Sequence, residues 1–308
     1  MAGVTCQSRR QVLVLGIIVG IACEPPAPAQ YATGWQTKAG GKLAFEAASV
    51  KPSKGAFVPS NVPLTPWDDQ SAPNGLLRAD ASLLALVQFA YKLWPMELQR
   101  REFSRLPKWV AADRYFIEAR AASGNPTKDQ MRLMMQSLLA ERFQLAAHFE
   151  ASEVAVLELR LAKAGQPGPK LIPHANGPPC DKPGASPGDG LPGFTNCRSL
   201  SAIDQPGNTR VLGSRDVTMD MLAGVLSMIS LGLDRPLIDK TGLTGTFDFT
   251  LEWTREVRGA AADSPAPLAA VGPTVIDALR DQLGLKLDPA KATLPILVVD
   301  RVERPSEN

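Results

Sequence analysis

The feature that most constrains this 308-residue chain is an internal repeat. Asp216 lies 136 positions after Asp80, and Phe247 lies 132 positions after Tyr115. The correspondence continues at a spacing of 140, at which Leu139, Glu141, Phe143, Leu145, Val154 and Val156 match Leu279, Asp281, Leu283, Leu285, Leu294 and Ile296. Because the spacing drifts so little along the chain, the pattern indicates duplication of one supersecondary unit.

Each copy is predicted to contain a strand, a helix, a strand, a helix and a final strand. In the first copy, Ser82 is an expected N-cap for a helix over Leu83–Tyr91, and Thr127 and Gln130 form a capping box. The helix that this box opens carries an apolar stripe that we expect in the core: Met131, Met134, Met135, Leu138 and Leu139. We therefore predict an α+β fold with two tandem copies of a strand-helix-strand-helix-strand unit, separate or sharing a sheet.

A turn-rich segment, Asp239-Lys-Thr-Gly-Leu-Thr-Gly245, leads into the middle strand of the second copy. Gly242 and Gly245 mark two closely spaced turns, each preceded by a threonine (Thr241 in the first turn). Asp239 is expected to cap the turn by accepting backbone N–H bonds. The stretch Gly242-Leu-Thr-Gly245 lacks the Lys-Ser/Thr pair of a phosphate-binding loop and precedes a strand instead of a helix, so we interpret it as scaffold.

The strand after these turns has alternating polarity. Phe247, Phe249 and Leu251 alternate with Asp248, Thr250 and Glu252. This period of two is typical of a half-buried strand, and a solvated polar face is the main interpretation of Asp248 and Glu252. A paired-carboxylate acid/base site that also uses Asp239 is the alternative.

Proline and glycine divide the chain into regions. A first strand is expected over 43–50, ended by Lys51 and Pro52, and the prolines that follow predict a long loop that could carry a binding surface. We predict a signal peptide at 1–29, an N-terminal strand and Pro-rich loop at 30–74, a first repeat module at 75–163, a Pro/Gly-rich, disulfide-containing excursion at 164–209 and a second repeat module at 210–308.

The N-terminus has the pattern of an export signal. Arginines at 9 and 10 precede an apolar run that ends at Ala22, and Ala27-Pro28-Ala29 is an A-x-A cleavage pattern. We expect cleavage after Ala29, a periplasmic or extracellular location and no transmembrane segment in the mature chain. A retained anchor, a twin-arginine signal and lipoprotein anchoring at Cys23 are the alternatives.

Export determines how the cysteines are interpreted. Cys180 and Cys197 would remain in the mature chain, and two thiols on one loop in an oxidising compartment are expected to form a disulfide. In the chain-entropy model, a loop of this size stabilises the fold by about 3 kcal/mol. Two free thiols are the alternative, and two cysteines alone cannot complete a zinc site.

Other chemistry is not indicated by the sequence. The formal charge of +2, with both signs evenly mixed, gives no reason to expect a nucleic-acid partner. Zinc-protease, nucleophile-elbow, phosphate-loop, dinucleotide and EF-hand motifs are absent from the sequence, and we predict no cofactor and no metal. His148 is expected to cap a helix or to form a salt bridge beside Glu150, and His174 is expected to be solvated.

Five motifs in chain order resemble one known family. They are Phe45-Glu-Ala-Ala-Ser-Val-Lys-Pro-Ser53, Leu138-Leu-Ala-Glu-Arg-Phe-Gln-Leu145 with His148 and Glu150, Asp239-Lys-Thr-Gly-Leu-Thr-Gly245 with Phe247-Asp-Phe249, Gln282-Leu-Gly-Leu-Lys-Leu287 and Val302-Glu-Arg-Pro-Ser-Glu-Asn308. Over nearly its whole mature length, the chain is similar to a soil-associated family of exported bacterial proteins of unknown function. Similar domains also occur behind membrane metallopeptidases of the BlaR sensor type.

The resemblance implies an extracytoplasmic sensing or interaction role, by association. The chain departs from it in having no peptidase segment, and in having Leu157 where an aromatic residue is expected. The missing segment removes a reason to expect a protease. The family supplies no catalytic residues that could be assigned to this chain.

The function expected from the sequence is that of a secreted, non-enzymatic protein. It would bind an unknown protein or small-molecule ligand outside the cytoplasm, through the loop at 52–74 or the turns at 239–246. A carboxylate-dependent hydrolase is favoured instead if one pocket gathers two or more of Asp239, Asp248, Glu252 and His148. A structural envelope-assembly module is favoured if a sheet leaves a long uncovered edge.

Overall fold

The computed structural model describes residues 34–66, 72–94, 101–122, 124–176, 180, 197–198, 200–228, 235–255 and 272–305. The predicted signal peptide at 1–29 lies outside these residues. The helices are α1 (Gly34–Lys38), α2 (Leu83–Tyr91), α3 (Arg101–Ser104), α4 (Trp109–Ala112), α5 (Lys128–Arg142), α6 (Met219–Met228) and α7 (Val275–Leu283). The strands are β1 (Ala47–Ser53), β2 (Leu76–Ser82), β3 (Arg114–Arg120), β4 (Ala146–Leu161), β5 (Leu171–Pro173), β6 (Ser201–Gln205), β7 (Thr209–Val217), β8 (Leu237–Asp239), β9 (Phe247–Thr254) and β10 (Leu285–Arg301).

These strands form three small sheets, so the prediction of an α+β fold is confirmed. The first sheet has the order β1-β3-β2 and the second has the order β5-β9-β7-β6, and both are antiparallel. The third sheet, with the order β10-β4-β8, pairs β10 with β4 in antiparallel fashion and β4 with β8 in parallel fashion. The element order β2-α2-β3-α5-β4 in the first half recurs as β7-α6-β9-α7-β10 in the second.

The long ribbon of β4 and β10 pairs the last strand of one half with the last strand of the other. Its central pair is Glu153 and Thr293, which are 140 positions apart. This spacing equals that of the internal repeat predicted from the sequence.

Each half places the end of its last strand in the core of the other half. Leu145, just before β4, lies in the first core with α2 and α5, whereas Leu159 near the end of β4 lies in the second core with α6 and α7. β10 runs the other way, from Leu285 in the second core to Leu297 in the first. The final strands are therefore exchanged between the halves.

The helices begin where the capping signals predict. Ser82 accepts a hydrogen bond from the backbone N–H of Ala85, and Thr127 and Gln130 form both hydrogen bonds of the predicted capping box. The predicted apolar stripe of α5 is buried, with Met131, Met134, Met135, Leu138 and Leu139 all in the interior. Hydrogen bonds to the first backbone N–H groups of these helices and burial of their apolar faces thus both stabilise them, as the sequence pattern predicts.

Some predicted boundaries are wrong. β1 begins at Ala47 and continues through Pro52, which is tolerated because β1 is an edge strand and needs no N–H there for its partner. The stretch Leu106-Pro107-Lys108-Trp109 predicts a turn, but Trp109 begins the short helix α4. The region at 164–209 also contributes strands: β5 pairs with β9, and β6 pairs with β7.

The outer edge of β10 is interrupted by prolines. Opposite Pro289, the N–H of Leu157 donates to the carbonyl of Pro236, away from β10, so the Leu157–Pro289 pair is not hydrogen-bonded. The nitrogen of Pro289 therefore points to the outer edge, as does that of Pro295 six residues later. Two donors are absent from this edge, which weakens it as a template for another strand.

Within the described ranges, no helix is both long enough and apolar enough to cross a bilayer.

Candidate functional site

A cavity of about 820 Å³ lies where the two halves meet. Its walls come from the end of α2, from α6, from β8 and from the ribbon of β4 and β10, with α1 also contributing. This volume is within the range of small-molecule sites, and the lining is mainly apolar with a few polar groups. The cavity is therefore the candidate binding site.

One side of the cavity is aromatic. Trp35, Tyr91, Trp94 and Phe149 line it, and the rings of Tyr91 and Phe149 meet edge to face with centroids 6.1 Å apart. Burial raises the pKa of Tyr91 to about 12, so its hydroxyl group stays neutral. Trp94 comes from the first half but packs against the second core, where a Cβ at Gly224 would overlap its indole ring. A glycine in the middle of α6 thus makes room for this aromatic wall.

Asp220 is an acidic group of the cavity with no hydrogen bond or ion pair within the described residues. It lies in the first turn of α6. The surrounding protein raises the pKa of its carboxyl by burial, the charge of Asp239 raises it further, and Lys92 opposes both. The side chain is nevertheless open to water, because it faces the cavity. A ligand that donates a hydrogen bond or carries a positive charge would stabilise the ionised form.

The cationic groups of the cavity already have acidic partners. Lys92 Nζ lies 3.3 Å from both carboxylate oxygens of Asp129. The same ammonium group is 5.7 Å from the centroid of the Trp35 ring. Arg198 Nε donates to Asp216 Oδ2 at 2.7 Å. These pairs leave the carboxyl of Asp220 as the charge in the lining that a ligand could neutralise.

A β-bulge positions Asp216 at the cavity wall. The register of β7 against β9 shifts between Ser214 and Val217, and Asp216 has a positive φ of 55°. A bulge turns a side chain away from the regular alternation of a strand. Burial alone would raise the pKa of Asp216, but hydrogen bonds from Thr246 and Arg198 outweigh it and hold the pKa below its usual value.

Behind this wall lies a buried ionic cluster around Asp248. Asp248 Oδ1 accepts the backbone N–H of Asp216 at 2.9 Å and lies 2.6 Å from His174 Nδ1. Its other oxygen is 3.6 Å from Arg215 Nε. The predictions of a solvated Asp248 and a solvated His174 are therefore wrong: Asp248 is only 4% exposed, because its carboxyl group contacts the bulge of β7 and the ring of His174.

The disulfide between Cys180 and Cys197 is confirmed, with the two Cα atoms 5.7 Å apart. Sulfur atoms of both cysteines and a ring nitrogen of His174 lie within 4.8 Å of one another. Thiolates are the form of cysteine that binds metal ions, so the disulfide removes two of these three ligands.

The segment at 239–245 forms a hydrogen-bonded turn. Asp239 Oδ1 accepts both the backbone N–H of Thr241, at 2.8 Å, and its hydroxyl group, at 2.7 Å. Gly242 and Gly245 have φ angles of 72° and 86°, which L-residues rarely adopt. The turn aligns β8, whose residues Leu237 and Ile238 line the cavity, so it supports the site without entering it.

The other carboxylates questioned from the sequence are not gathered in this cavity. Glu252 is exposed on β9, and its backbone exchanges hydrogen bonds with the side chain of Gln282. His148 lies on β4 between Glu150 and Asp300, at 2.9 and 2.8 Å, which is the predicted salt-bridging role. The lining of the 820 Å³ cavity includes none of Asp239, Asp248, Glu252 and His148.

Sequence reasoning missed the residues that make the cavity. In the sequence, Asp220 resembles any acidic residue in the first turn of a helix. Trp94 resembles any residue in the loop after a helix. The available signal was Gly224, since a glycine inside an apolar helix pattern often marks a close approach. Its partner, Trp94, is 130 positions away and could not be identified from spacing.

Together, the fold and the site define a class: a two-halved α+β protein with exchanged final strands and an aromatic cavity between the halves. Comparison with known families matches residues 84–302 to the family described as "Protein of unknown function (DUF3738)". The match spans most of both halves, and the chain belongs to this family. No curated protein and no solved structure matches the chain.

Proposed function

We propose that this protein is an exported, non-enzymatic binding or sensing protein that holds a small organic ligand in the cavity between its halves. The observation that carries the proposal is the combination of an aromatic wall with the carboxyl group of Asp220, which has no hydrogen bond or ion pair within the part of the chain that the structure describes. A site of this kind recognises a ligand by its apolar body and by a few placed polar contacts.

The chemistry of the lining selects a ligand class. Trp35, Tyr91, Trp94 and Phe149 offer ring faces and edges to an aromatic or alicyclic body. Asp220 accepts from a donor, and the attraction of aromatic rings for cations adds to this preference. The ligand class that fits is an apolar molecule with an amine or another strong hydrogen-bond donor.

The disulfide supports export, because disulfides persist in oxidising compartments. The association with soil bacteria and the link to BlaR-type sensors remain predictions from the resemblance. If the link holds, the cavity is where an extracellular signal molecule would bind.

The alternatives from the sequence receive less support. The hydrolase required one pocket to gather the carboxylates named above, and the 820 Å³ cavity contains none of them. The assembly module required an uncovered edge, and prolines interrupt the long edge of β10.

The proposal is tested with pairs of compounds that share a ring and differ in charge. Tryptamine is compared with indole-3-acetate, and phenethylamine with phenylacetate, by thermal shift and by quenching of tryptophan fluorescence. The amines should raise the melting temperature and quench fluorescence, since Trp35 and Trp94 line the cavity. Asp220→Asn should weaken amine binding about tenfold, because a charged hydrogen bond contributes about 1.5–3 kcal/mol.

Two tryptophan substitutions locate the binding. Met221→Trp places an indole in the cavity and should abolish amine binding. Ile276→Trp adds the same ring to the exposed face of α7 and should leave binding unchanged. Binding that survives Met221→Trp, or no stabilisation by either compound class, would contradict the proposal.

A further inference from the structure

The Cys180–Cys197 disulfide has a neighbour that a structural crosslink does not require. His174 Nε2 lies 3.3 Å from Cys180 Sγ. The other ring nitrogen, Nδ1, lies 2.6 Å from Asp248 Oδ1. Sulfur, imidazole and carboxylate therefore form a continuous line of contacts, and this line lies apart from the aromatic wall of the cavity.

The buried carboxylate fixes the orientation of the imidazole. Asp248 is held by the backbone N–H of Asp216 and by Arg215 at 3.6 Å, so it is a fixed acceptor for the Nδ1–H of His174. Asp216 in turn is paired with Arg198. These are the charged groups that face the histidine within the described residues. A histidine held in this way presents Nε2 to the sulfur, and when Nε2 is protonated it donates to a thiolate.

The disulfide is also reachable. Cys180 is exposed and Cys197 is half-buried. Cys197 also forms an isolated backbone bridge with Arg215 of β7. Both cysteines thus keep some exposed surface, and the sulfur beside the imidazole is that of Cys180.

We propose that Cys180–Cys197 is a thiol–disulfide exchange site that accepts electrons from dithiols. A thiolate of the dithiol attacks Cys197 Sγ, the S–S bond breaks, and Cys180 Sγ leaves with the electron pair as a thiolate hydrogen-bonded to protonated His174. The second thiol of the donor then attacks the donor sulfur that is bonded to Cys197 in the mixed disulfide. Cys197 leaves as a thiolate and takes up the proton that the second thiol loses. The donor is oxidised to a disulfide, and the protein disulfide is reduced to a dithiol by two electrons and two protons.

The energetic basis is stabilisation of the leaving group. Exchange is faster when the departing thiolate is more stable, and a disulfide becomes more oxidising when its reduced form is stabilised. An imidazolium beside the sulfur supplies both effects.

The first test needs no variant. The full-length protein is reduced with dithiothreitol, freed of reductant and treated briefly with iodoacetamide, and each cysteine is quantified by peptide mass spectrometry. The rate for an ordinary thiol, with a pKa of about 8.5, rises about 80-fold between pH 6 and pH 8. The rate at which Cys180 reacts with iodoacetamide should change less than about threefold over that range, because Cys180 is already a thiolate. The rate for Cys197 should follow the profile of an ordinary thiol. Ordinary profiles at both cysteines would overturn the proposal.

The second test uses His174→Gln, which retains a polar side chain but carries no positive charge. This change should restore the ordinary profile at Cys180. It should also shift the equilibrium with glutathione about tenfold towards the disulfide, equivalent to about 30 mV for a two-electron couple. Circular dichroism checks that the variant is folded, and an unchanged equilibrium in a folded variant would overturn the proposal. Neither outcome depends on whether the cavity binds amines.

Discussion

Replacing Leu159 by alanine should destabilise the second half of the protein, although Leu159 belongs to the first half in sequence. Leu159 lies on β4, the last strand of the first half, but its side chain is fully buried in the second core. Truncating a fully buried leucine typically costs about 3 kcal/mol, because apolar contacts are lost and a cavity remains. This is a large part of a typical stability of about 5–15 kcal/mol.

Urea unfolding would measure the loss, and hydrogen exchange followed by mass spectrometry would locate it. Amides of α7 should lose protection in Leu159→Ala, and the mirror variant Leu297→Ala should do the same to α5, since Leu297 lies on β10 in the first core. Glu153→Ala, at the exposed centre of the ribbon, is the control and should cost less than about 1 kcal/mol. Unchanged protection of α7 in Leu159→Ala would refute the inference that the exchanged strands hold the two cores.

Three further predictions concern individual contacts. Gly245→Val should lower stability by about 1–2 kcal/mol, because φ is 86° there; unchanged thermal unfolding would contradict this. Asp248→Ala should cost about 3–5 kcal/mol in urea, since it breaks the buried ion pair with Arg215 and removes the acceptor of the Asp216 N–H, and a loss below about 1 kcal/mol would refute it. Hydrogen bonds to Glu150 and then Asp300 raise the pKa of His148. The pairing of protonated His148 with these two carboxylates therefore stabilises the fold fully below about pH 6.5. This stabilisation is lost as the pH rises through the folded-state pKa of His148. His148→Gln should flatten that part of the melting profile, and an unaltered slope would count against it.

Local signals explain why much of the fold could be predicted. The caps at Ser82 and Thr127 and the stripe from Met131 to Leu139 depend on residues close in sequence, and the structure has them as expected. The repeat spacing of 140 even matches the central pair of the ribbon. What the spacing could not predict is the exchange of final strands, because the choice of core depends on packing between distant segments.

The site could be predicted much less well. His174 lies in a segment rich in proline and glycine, which indicates a solvated loop, yet it contacts a carboxylate 74 positions away. Asp248 lies on the polar face of an alternating strand, but the bulge of β7 and His174 bury this position, whereas Glu252 on the same face is exposed. In both cases tertiary contacts override a local pattern that was identified correctly.

The most direct test of the binding proposal is a crystal structure of the protein with the tightest-binding amine of the panel. We expect the ring of the compound against Tyr91 and Trp94, with its ammonium group within hydrogen-bond distance of the Asp220 carboxylate. A compound bound elsewhere on the protein, with the cavity between the halves empty, would contradict the account.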